Sequence, residues 1–317
     1  MVASLVTVAM VALVVAGICA PYETLGWWAG WYGDTPGPSG KLVLKDKTEP
    51  SSAGHFVVYL TGIGGTSPTE YSGLEQTFLK RLEAELPDAE LVDDLFPYSP
   101  ANRALTGQRV FGWFWRRLYG LRGRGGLSLI AFLINVRNLW QVLVSSDNRF
   151  GPLYNYATSE LVFAHLLDHG YPFGAGVPVT LIGYSGGGQI ATGAAPLLKQ
   201  TLKAPVHVIS LGGVMSSEEG LLELDSLTHL YGDRDGTQRL GAIFFPQRWP
   251  VMTHSPWNRA RREGIVRRVR LGPMGHTGKN GYLDGAANLA DGQSYLDKTV
   301  SVIADLVGRV PVKKASG

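Results

Sequence analysis

The segment that most constrains the fold of this chain is a short apolar run followed at once by a glycine-flanked serine. Val179 to Ile182 have the side chains of a buried strand, and the next residues are Gly183-Tyr184-Ser185-Gly186-Gly187. Residues 189–203 then place apolar side chains at helical spacing. A serine on a sharp strand-to-helix turn needs glycine on both sides, because the strained backbone tolerates little crowding. The segment therefore predicts either a positioned nucleophile or a glycine-rich connection of an ordinary α/β domain.

Strands and helices alternate through much of the remaining chain. The predicted strands are His55–Leu60, Ala89–Asp93, Pro178–Ile182, Pro205–Leu211, Leu227–Tyr231 and Gly264–Leu271. The predicted helices cover residues 74–86, 156–169, 189–203 and 292–308. Strands that alternate with helices favour a mainly parallel sheet with helices on both faces, so the predicted fold class is α/β.

Three of these predicted strands end in loops that carry a serine, an aspartate and a histidine. Ser185 follows one strand, Asp235 lies in the turn after another, and His276 follows the last. The carboxyl ends of parallel strands meet at one edge of the sheet, where ligands bind. A serine hydroxyl is a weak nucleophile that needs an imidazole base, and the imidazole needs an acid that fixes its tautomer. We therefore predict these three residues as nucleophile, acid and base, with Asp233 as an alternative acid and His254 as an alternative base.

Other kinds of catalytic site find little support in the sequence. No His-x-x-His or paired-carboxylate spacing indicates a metal site, so no metal is expected. Residues 62–65 are rich in glycine but lack the following Lys-Ser/Thr of a phosphate-binding loop. The single cysteine, Cys19, allows no intrachain disulfide.

The motifs resemble those of the α/β-hydrolase family over roughly residues 54–310. The sequence around Ser185 is similar to the family's nucleophile turn, residues 232–235 to its Gly-x-x-Asp acid turn, and Gly275-His276 to its terminal Gly-His. The order serine, acid, histidine also agrees with the family. The resemblance implies that Asp235 rather than Asp233 is the acid, and that no cofactor is needed.

The resemblance also implies an oxyanion hole made of two backbone N–H groups. One is expected from Gly186, and the other from the loop after Leu60, where Ile63 is the position-matched donor and Gly64 a substitute. That loop begins Thr-Gly-Ile, whereas the family often has His-Gly-x. Such a donor typically contributes about 3–4 kcal/mol to transition-state stabilisation. Tyr184 and Gly64, adjacent to these positions, are expected to contact the substrate.

The first twenty residues form an uncharged apolar run. At about 1.5 Å per residue, a helix of this length would span about 30 Å, the thickness of a bilayer core. The aromatic residues that follow, as in the belt at a membrane surface, are Trp27, Trp28, Trp31 and Tyr32. We therefore predict a membrane anchor in residues 1–33, attached through residues 1–20. A cleaved signal peptide of a secreted protein and a buried helix of the globular domain are the alternatives.

Residues 34–53, rich in Pro, Gly, Ser and Lys, are expected to be a linker to an α/β domain over residues 54–312, with a tail at 313–317.

Within that domain, residues 100–151 interrupt the alternation of strands and helices and are expected to form a helical, cap-like insertion. Residues 101–150 include eight arginines and one acidic residue, a net charge of +7, and aromatic side chains lie between the arginines. Such a segment can lie at a membrane surface or pack on the domain with its arginines in solvent. No nucleic-acid recognition motif accompanies it, so no nucleic-acid partner is expected.

The sequence thus predicts a serine hydrolase that cleaves carboxylic esters. The anchor and the aromatic insertion favour a lipid or other apolar acyl ester and a location at a membrane. One alternative is a non-catalytic binding or scaffold protein on the same fold. Another is a peptidase or acyltransferase that uses the same three residues.

Overall fold

A computed structural model describes residues 2–31, 49–108, 112–119 and 127–311. Its strands are β1 (His55–Leu60), β2 (Ala89–Val92), β3 (Val179–Tyr184), β4 (Val206–Leu211), β5 (Ser226–Gly232) and β6 (Val266–Gly272). They form one sheet in the order β2-β1-β3-β4-β5-β6, and every neighbouring pair is parallel. The predicted α/β class with a parallel sheet is therefore confirmed. The strand that ends at the glycine-flanked serine, β3, lies in the middle of the sheet.

Helices cover both faces of this sheet. They are α1 (Val2–Trp28), α2 (Gly73–Glu85), α3 (Gly112–Tyr119), α4 (Leu127–Ser146), α5 (Gly151–Asp168), α6 (Gly187–Leu202), α7 (Leu240–Phe244), α8 (Pro256–Arg262) and α9 (Tyr295–Gly308). Along β1, Phe56 and Val58 contribute to one core and Val57 and Tyr59 to the other, because side chains alternate along a strand. Residues of α5 and α6 complete the first core, and residues of α2 and α9 complete the second. Each aliphatic or aromatic side chain buried in these layers contributes about 1.5–3 kcal/mol to the stability of the folded state, relative to the same side chain in water.

Two helix starts lie three or more residues from the sequence-based expectation, and two short helices were not predicted. α5 begins at Gly151, five residues early, with Pro152 in its first turn, where the fixed φ of proline suits a helix. α9 begins at Tyr295 rather than at residue 292, because the Ser294 hydroxyl accepts the Asp297 N–H at 3.0 Å and caps the helix there. The segment between β5 and β6, where no helix was predicted, contains α7 and α8. The Ser255 hydroxyl caps α8 in the same way.

The C-terminal half of α1 packs on the helices of the insertion. Glu23 forms an ion pair with Arg137 of α4, and both side chains are largely buried. Gln141 of the same helix donates a hydrogen bond to the Ala20 carbonyl at 3.2 Å. This half of α1 is therefore held against the α/β domain.

The predicted anchor over residues 1–20 falls mostly on side chains outside those that the structure describes. Among the described residues, no helix is both long enough and apolar enough to cross a membrane. The apolar side chains of this run that are described and exposed are Val11, Val14, Val15 and Ile18. Most of the predicted linker, and the tail at 313–317, also lie outside the described residues.

Within residues 100–151 the structure describes a 3₁₀ turn at Leu105–Gly107 and the helices α3 and α4. Trp115 of α3 and Ile130 and Ile134 of α4 are buried in the core, so the insertion packs on the α/β domain. Trp113, in contrast, is 62% exposed. Residues 109–111 and 120–126, which include part of the arginine-rich segment, lie outside the described residues.

Candidate active site

Ser185 lies on the sharp turn between β3 and α6, in a backbone conformation that is rare for a residue with a side chain. Its φ is +53°, and such strain costs about 1–3 kcal/mol unless the surroundings enforce it. The flanking glycines show how the turn closes. A Cβ at Gly183 would lie 2.5 Å from the Gly187 carbonyl oxygen, and a Cβ at Gly187 would overlap the Leu60 carbonyl oxygen. The glycine pattern in the sequence is therefore a steric requirement of the turn.

Ser185, His276 and Asp235 meet in one chain of hydrogen bonds. The Nε2 atom of His276 lies 2.8 Å from Ser185 Oγ, and its Nδ1 atom lies 2.9 Å from Asp235 Oδ2. The three side chains come from the loops that follow β3, β5 and β6, as expected at the carboxyl edge of a parallel sheet. When the carboxylate holds the proton of imidazole on Nδ1, Nε2 is free to accept the proton of the serine hydroxyl.

The carboxylate of Asp235 is buried and accepts two further hydrogen bonds. Tyr282 donates its hydroxyl proton at 2.6 Å, and Gln238 donates its backbone N–H at 3.1 Å. Burial by itself would raise the pKa of Asp235, but the hydrogen bonds and the nearby His276 outweigh it and hold the pKa below its ordinary value. Asp235 is therefore ionised at neutral pH and able to stabilise an imidazolium.

The alternative acid and base lie away from this chain of hydrogen bonds. Asp233 forms a two-point ion pair with Arg270, with N–O distances of 2.7 and 2.6 Å. His254 is exposed in the segment between α7 and α8. Of the candidates considered, the structure brings Asp235 and His276 to Ser185.

Two tyrosines and a glycine fix the position of His276. Tyr184, which was expected to contact substrate, is buried, stacks on the imidazole with ring centroids 5.7 Å apart, and donates its hydroxyl to the His276 carbonyl at 2.9 Å. Burial raises the pKa of the Tyr282 hydroxyl, so that group stays a donor to Asp235. Gly212 has a φ of +58°, and a Cβ there would lie 2.9 Å from Asp235 Oδ2. These contacts leave His276 little freedom to turn away from Ser185.

The two candidate oxyanion donors lie beside Ser185. A Cβ at Gly186 would lie 2.6 Å from Ile63 Cγ2, and a Cβ at Gly62 would lie 3.4 Å from Ser185 Cβ, so the loop after β1 lies against the turn. In the described part of the chain, neither the Gly186 N–H nor the Ile63 N–H has a hydrogen-bond acceptor. Free backbone donors next to a nucleophile can stabilise an oxyanion. Gly64, also expected to contact substrate, is exposed.

Asn138 of α4 holds the loop that carries Ile63. Its side chain is fully buried and donates to the carbonyls of Ile63 at 2.7 Å and Gly65 at 2.8 Å. The Asn138 oxygen accepts a hydrogen bond from Arg137 at 3.0 Å, and Arg137 is paired with Glu23 of α1. The insertion and α1 therefore fix the backbone from which one candidate oxyanion donor projects.

We expect Asn138→Leu to lower kcat about 10- to 100-fold while KM changes by no more than a few fold. The substitution keeps the branched shape of the side chain but leaves two carbonyls without their hydrogen-bond donor, so the Ile63 N–H moves away from the developing oxyanion. Kinetic constants and melting temperature are to be measured together. Ser146→Ala on the same helix is the matched control, because the Ser146 hydroxyl bonds only within α4, to the Leu143 carbonyl. A kcat for Asn138→Leu within twofold of the wild-type value would remove this role.

Sequence reasoning missed Asn138, Tyr282 and Gly212. The one available signal was Asn138, a polar residue that interrupts the apolar run of α4 and therefore needs a buried partner. Tyr282 and Gly212 meet Asp235 from distant positions in the chain, and no local pattern marks either residue.

Among the described residues, no group of three or more His, Cys, Asp or Glu side chains is arranged to hold a metal ion.

No protein-family model matches this sequence, and no curated protein matches it. An assignment of function therefore depends on the chemistry that the arrangement around Ser185 supports.

Proposed function

We propose that the chain is a serine hydrolase of the α/β-hydrolase type that cleaves carboxylic esters through an acyl-enzyme. The observation that carries the proposal is the continuous Ser185–His276–Asp235 hydrogen-bond chain, with the serine on a strained turn at the carboxyl edge of the sheet. Strained backbone is retained where function or packing demands it. A serine, an imidazole and a buried carboxylate at these distances are the parts that acyl transfer needs.

In the proposed reaction, His276 Nε2 removes the Ser185 hydroxyl proton as Oγ attacks the ester carbonyl carbon. The negative charge that develops on the carbonyl oxygen is stabilised by the N–H groups of Gly186 and Ile63. The imidazolium, held by Asp235, then gives its proton to the departing alkoxide, and the acyl group stays on Oγ. In the second half, His276 removes a proton from water, which attacks the acyl carbon and releases the acid. Ser185 regains its proton from His276.

The surroundings of the candidate oxyanion donors support an apolar acyl group. The side chains nearest to the Cβ position of Gly186 are those of Ile63, Val142 and Tyr98. Val142 and Tyr98 are buried, and the hydroxyl of Tyr98 is bound to the Thr61 carbonyl at 2.8 Å. Apolar surroundings of this kind favour methylene groups over charged groups.

We expect p-nitrophenyl esters of graded acyl length to be hydrolysed, with kcat/KM rising from acetate to medium-length chains. Each methylene buried against an apolar wall contributes up to about 0.8 kcal/mol, or about fourfold in kcat/KM. Parallel assays with an anilide of the preferred acyl group and with an added alcohol acceptor would reveal a peptidase or an acyltransferase. A correctly folded protein with no activity on any of these substrates would favour a non-catalytic binding protein.

We also propose that the N-terminal half of α1 attaches the enzyme to a membrane. The support is the absence of charge from residues 1–20 and the exposure of Val11, Val14, Val15 and Ile18. Deletion of residues 1–15 keeps the ion pair of Glu23 with Arg137 and should release the protein into the soluble fraction with its ester hydrolysis intact. Sedimentation of the truncated protein with membranes to the wild-type extent would show that another surface is responsible.

A further inference from the structure

A cavity lies beside the acid turn, between the end of β5, β6 and the segment that contains α7 and α8. Its volume is about 430 Å³, within the range of small-molecule sites. Its lining includes Tyr231, Arg239, Arg248, Trp257, Arg261 and Arg268. Four of the twelve lining residues are arginines and one, Asp233, is acidic, so the cavity is positively charged.

Arg248 is the most buried of these arginines. One of its terminal nitrogens donates to the Met215 carbonyl at 2.9 Å, and its guanidinium lies 4.0 Å from the ring centroid of Trp257. Its Nε atom is buried and has no hydrogen-bond partner. Burial and the neighbouring Arg268 and Arg261 lower the pKa of Arg248 to about 10. A buried cation with a free donor is costly unless an anion accompanies it.

No protein carboxylate supplies that anion. Within the described ranges, Arg239, Arg248, Arg261 and Arg268 form no ion pair. The acidic residue of the lining, Asp233, is engaged at both carboxylate oxygens by Arg270. The cluster therefore carries a net positive charge that a ligand could neutralise.

Exposed apolar side chains occur in the segment that lines the cavity, and one of them, Trp249, is itself a lining residue. They are Leu240, Ile243, Phe244, Trp249, Val251 and Met252, with exposed fractions from 37% to 77%. Apolar groups next to arginines match a ligand whose anionic head joins an apolar tail, and large exposed apolar patches often mark interaction sites.

We propose that this cavity binds a phosphate group, carried either by a soluble phosphorylated compound or by an anionic phospholipid. A phosphate offers several acceptor oxygens and up to two negative charges, and planar guanidinium groups bind it with paired hydrogen bonds. The exposed Arg261 and Arg268 supply donors at the rim of the cavity, and Arg248, which also lines it, adds positive charge inside. Phosphate binding at this cavity can be measured without ester hydrolysis, so it does not depend on the proposed hydrolase activity.

The test compares the full chain with Arg261→Gln/Arg268→Gln and with the matched control Arg262→Gln/Arg267→Gln. All four arginines are exposed, and the control pair lies beside the cavity pair on α8 and β6 but does not line the cavity. In one arm, inorganic phosphate is titrated by calorimetry. In the other, vesicles of phosphatidylglycerol are compared with vesicles of phosphatidylcholine, which give the baseline for attachment by other surfaces.

We expect binding at least about tenfold weaker in the cavity double variant and unchanged in the control. Loss in the phosphate arm identifies a soluble phosphate compound, and loss confined to the phosphatidylglycerol arm identifies a lipid headgroup. If the double variant does not fold, Arg261→Gln is compared with Arg262→Gln in the same assays. Equal binding by cavity variant and control in both arms, or no binding of either ligand by wild type, would overturn the proposal.

Discussion

Ser185→Ala is expected to lower kcat for the best p-nitrophenyl ester by at least about 10⁴-fold. The substitution removes the atom that would form the acyl bond, and residual turnover would come only from the remaining oxyanion donors and from binding. Alanine at this position keeps the same backbone strain, so the melting temperature should change little. Ser185→Gly is expected to be equally inactive but more stable, because glycine adopts a φ of +53° without strain.

Ser210→Ala is the matched control for this experiment. Ser210 is also buried and also lies within hydrogen-bond distance of a histidine, His229, at 3.2 Å. It lies inside β4 rather than on a turn, and it does not contact His276. We expect Ser210→Ala to retain activity within tenfold of wild type. Equal losses in the two variants would mean that the assay reports on packing around β3 and β4 rather than on a nucleophile.

Asp235→Asn is expected to lower kcat about 10⁴-fold with little change in KM. An amide can donate a hydrogen bond to His276 Nδ1, which favours the tautomer with the proton on Nε2 and prevents that atom from accepting the serine proton. The neutral side chain also gives no stabilisation to the imidazolium. Because the pKa of Asp235 is held below its ordinary value, protonation of this carboxylate is not expected to limit ester hydrolysis at pH 5.

Asp233→Asn tests the alternative acid in the same turn. Asp233 pairs with Arg270 at the surface, and surface ion pairs contribute about 0–1 kcal/mol to stability. Its kcat should stay within about twofold of wild type, measured beside Asp235→Asn on the same ester. The reverse order of the two effects would contradict the assignment of Asp235.

The parallel sheet and the meeting of Ser185, Asp235 and His276 could be predicted because the sequence patterns that indicate them are local. Buried parallel strands appear as apolar runs, and each catalytic candidate lies within a few residues of a strand end. The glycines around Ser185 are required because side chains there would overlap the backbone of one turn. That requirement is visible in a single stretch of sequence. The fold class and the meeting of Ser185, Asp235 and His276 follow from these local features together with the common direction of the strands.

The support around the site could not be predicted, because it is formed by contacts between distant parts of the chain. Asn138 reaches the carbonyls of Ile63 and Gly65 from a helix more than 70 residues away in sequence. Periodicity describes which face of a helix is apolar but not which loop a buried amide contacts. The ion pair of Glu23 with Arg137 likewise joins two segments that sequence reasoning treated as separate, an anchor and an insertion.

The cavity beside the acid turn was missed for a related reason. Its arginines come from α7–α8 and from β6, where each looks like an ordinary charged residue of a surface element. Their concentration around Arg248 becomes apparent only when the elements are assembled. The short helices α7 and α8 were also too brief to show a helical period.

The most direct test of the account is the site of labelling by a fluorophosphonate, mapped by peptide mass spectrometry on the folded full-length chain. We predict a single covalent adduct on Ser185, formed at a rate that falls at least about 100-fold in His276→Gln, because the imidazole no longer removes the hydroxyl proton. Absence of an adduct on the folded wild-type protein, or an adduct on another serine with Ser185 unmodified, would contradict the assignment of Ser185 as the nucleophile.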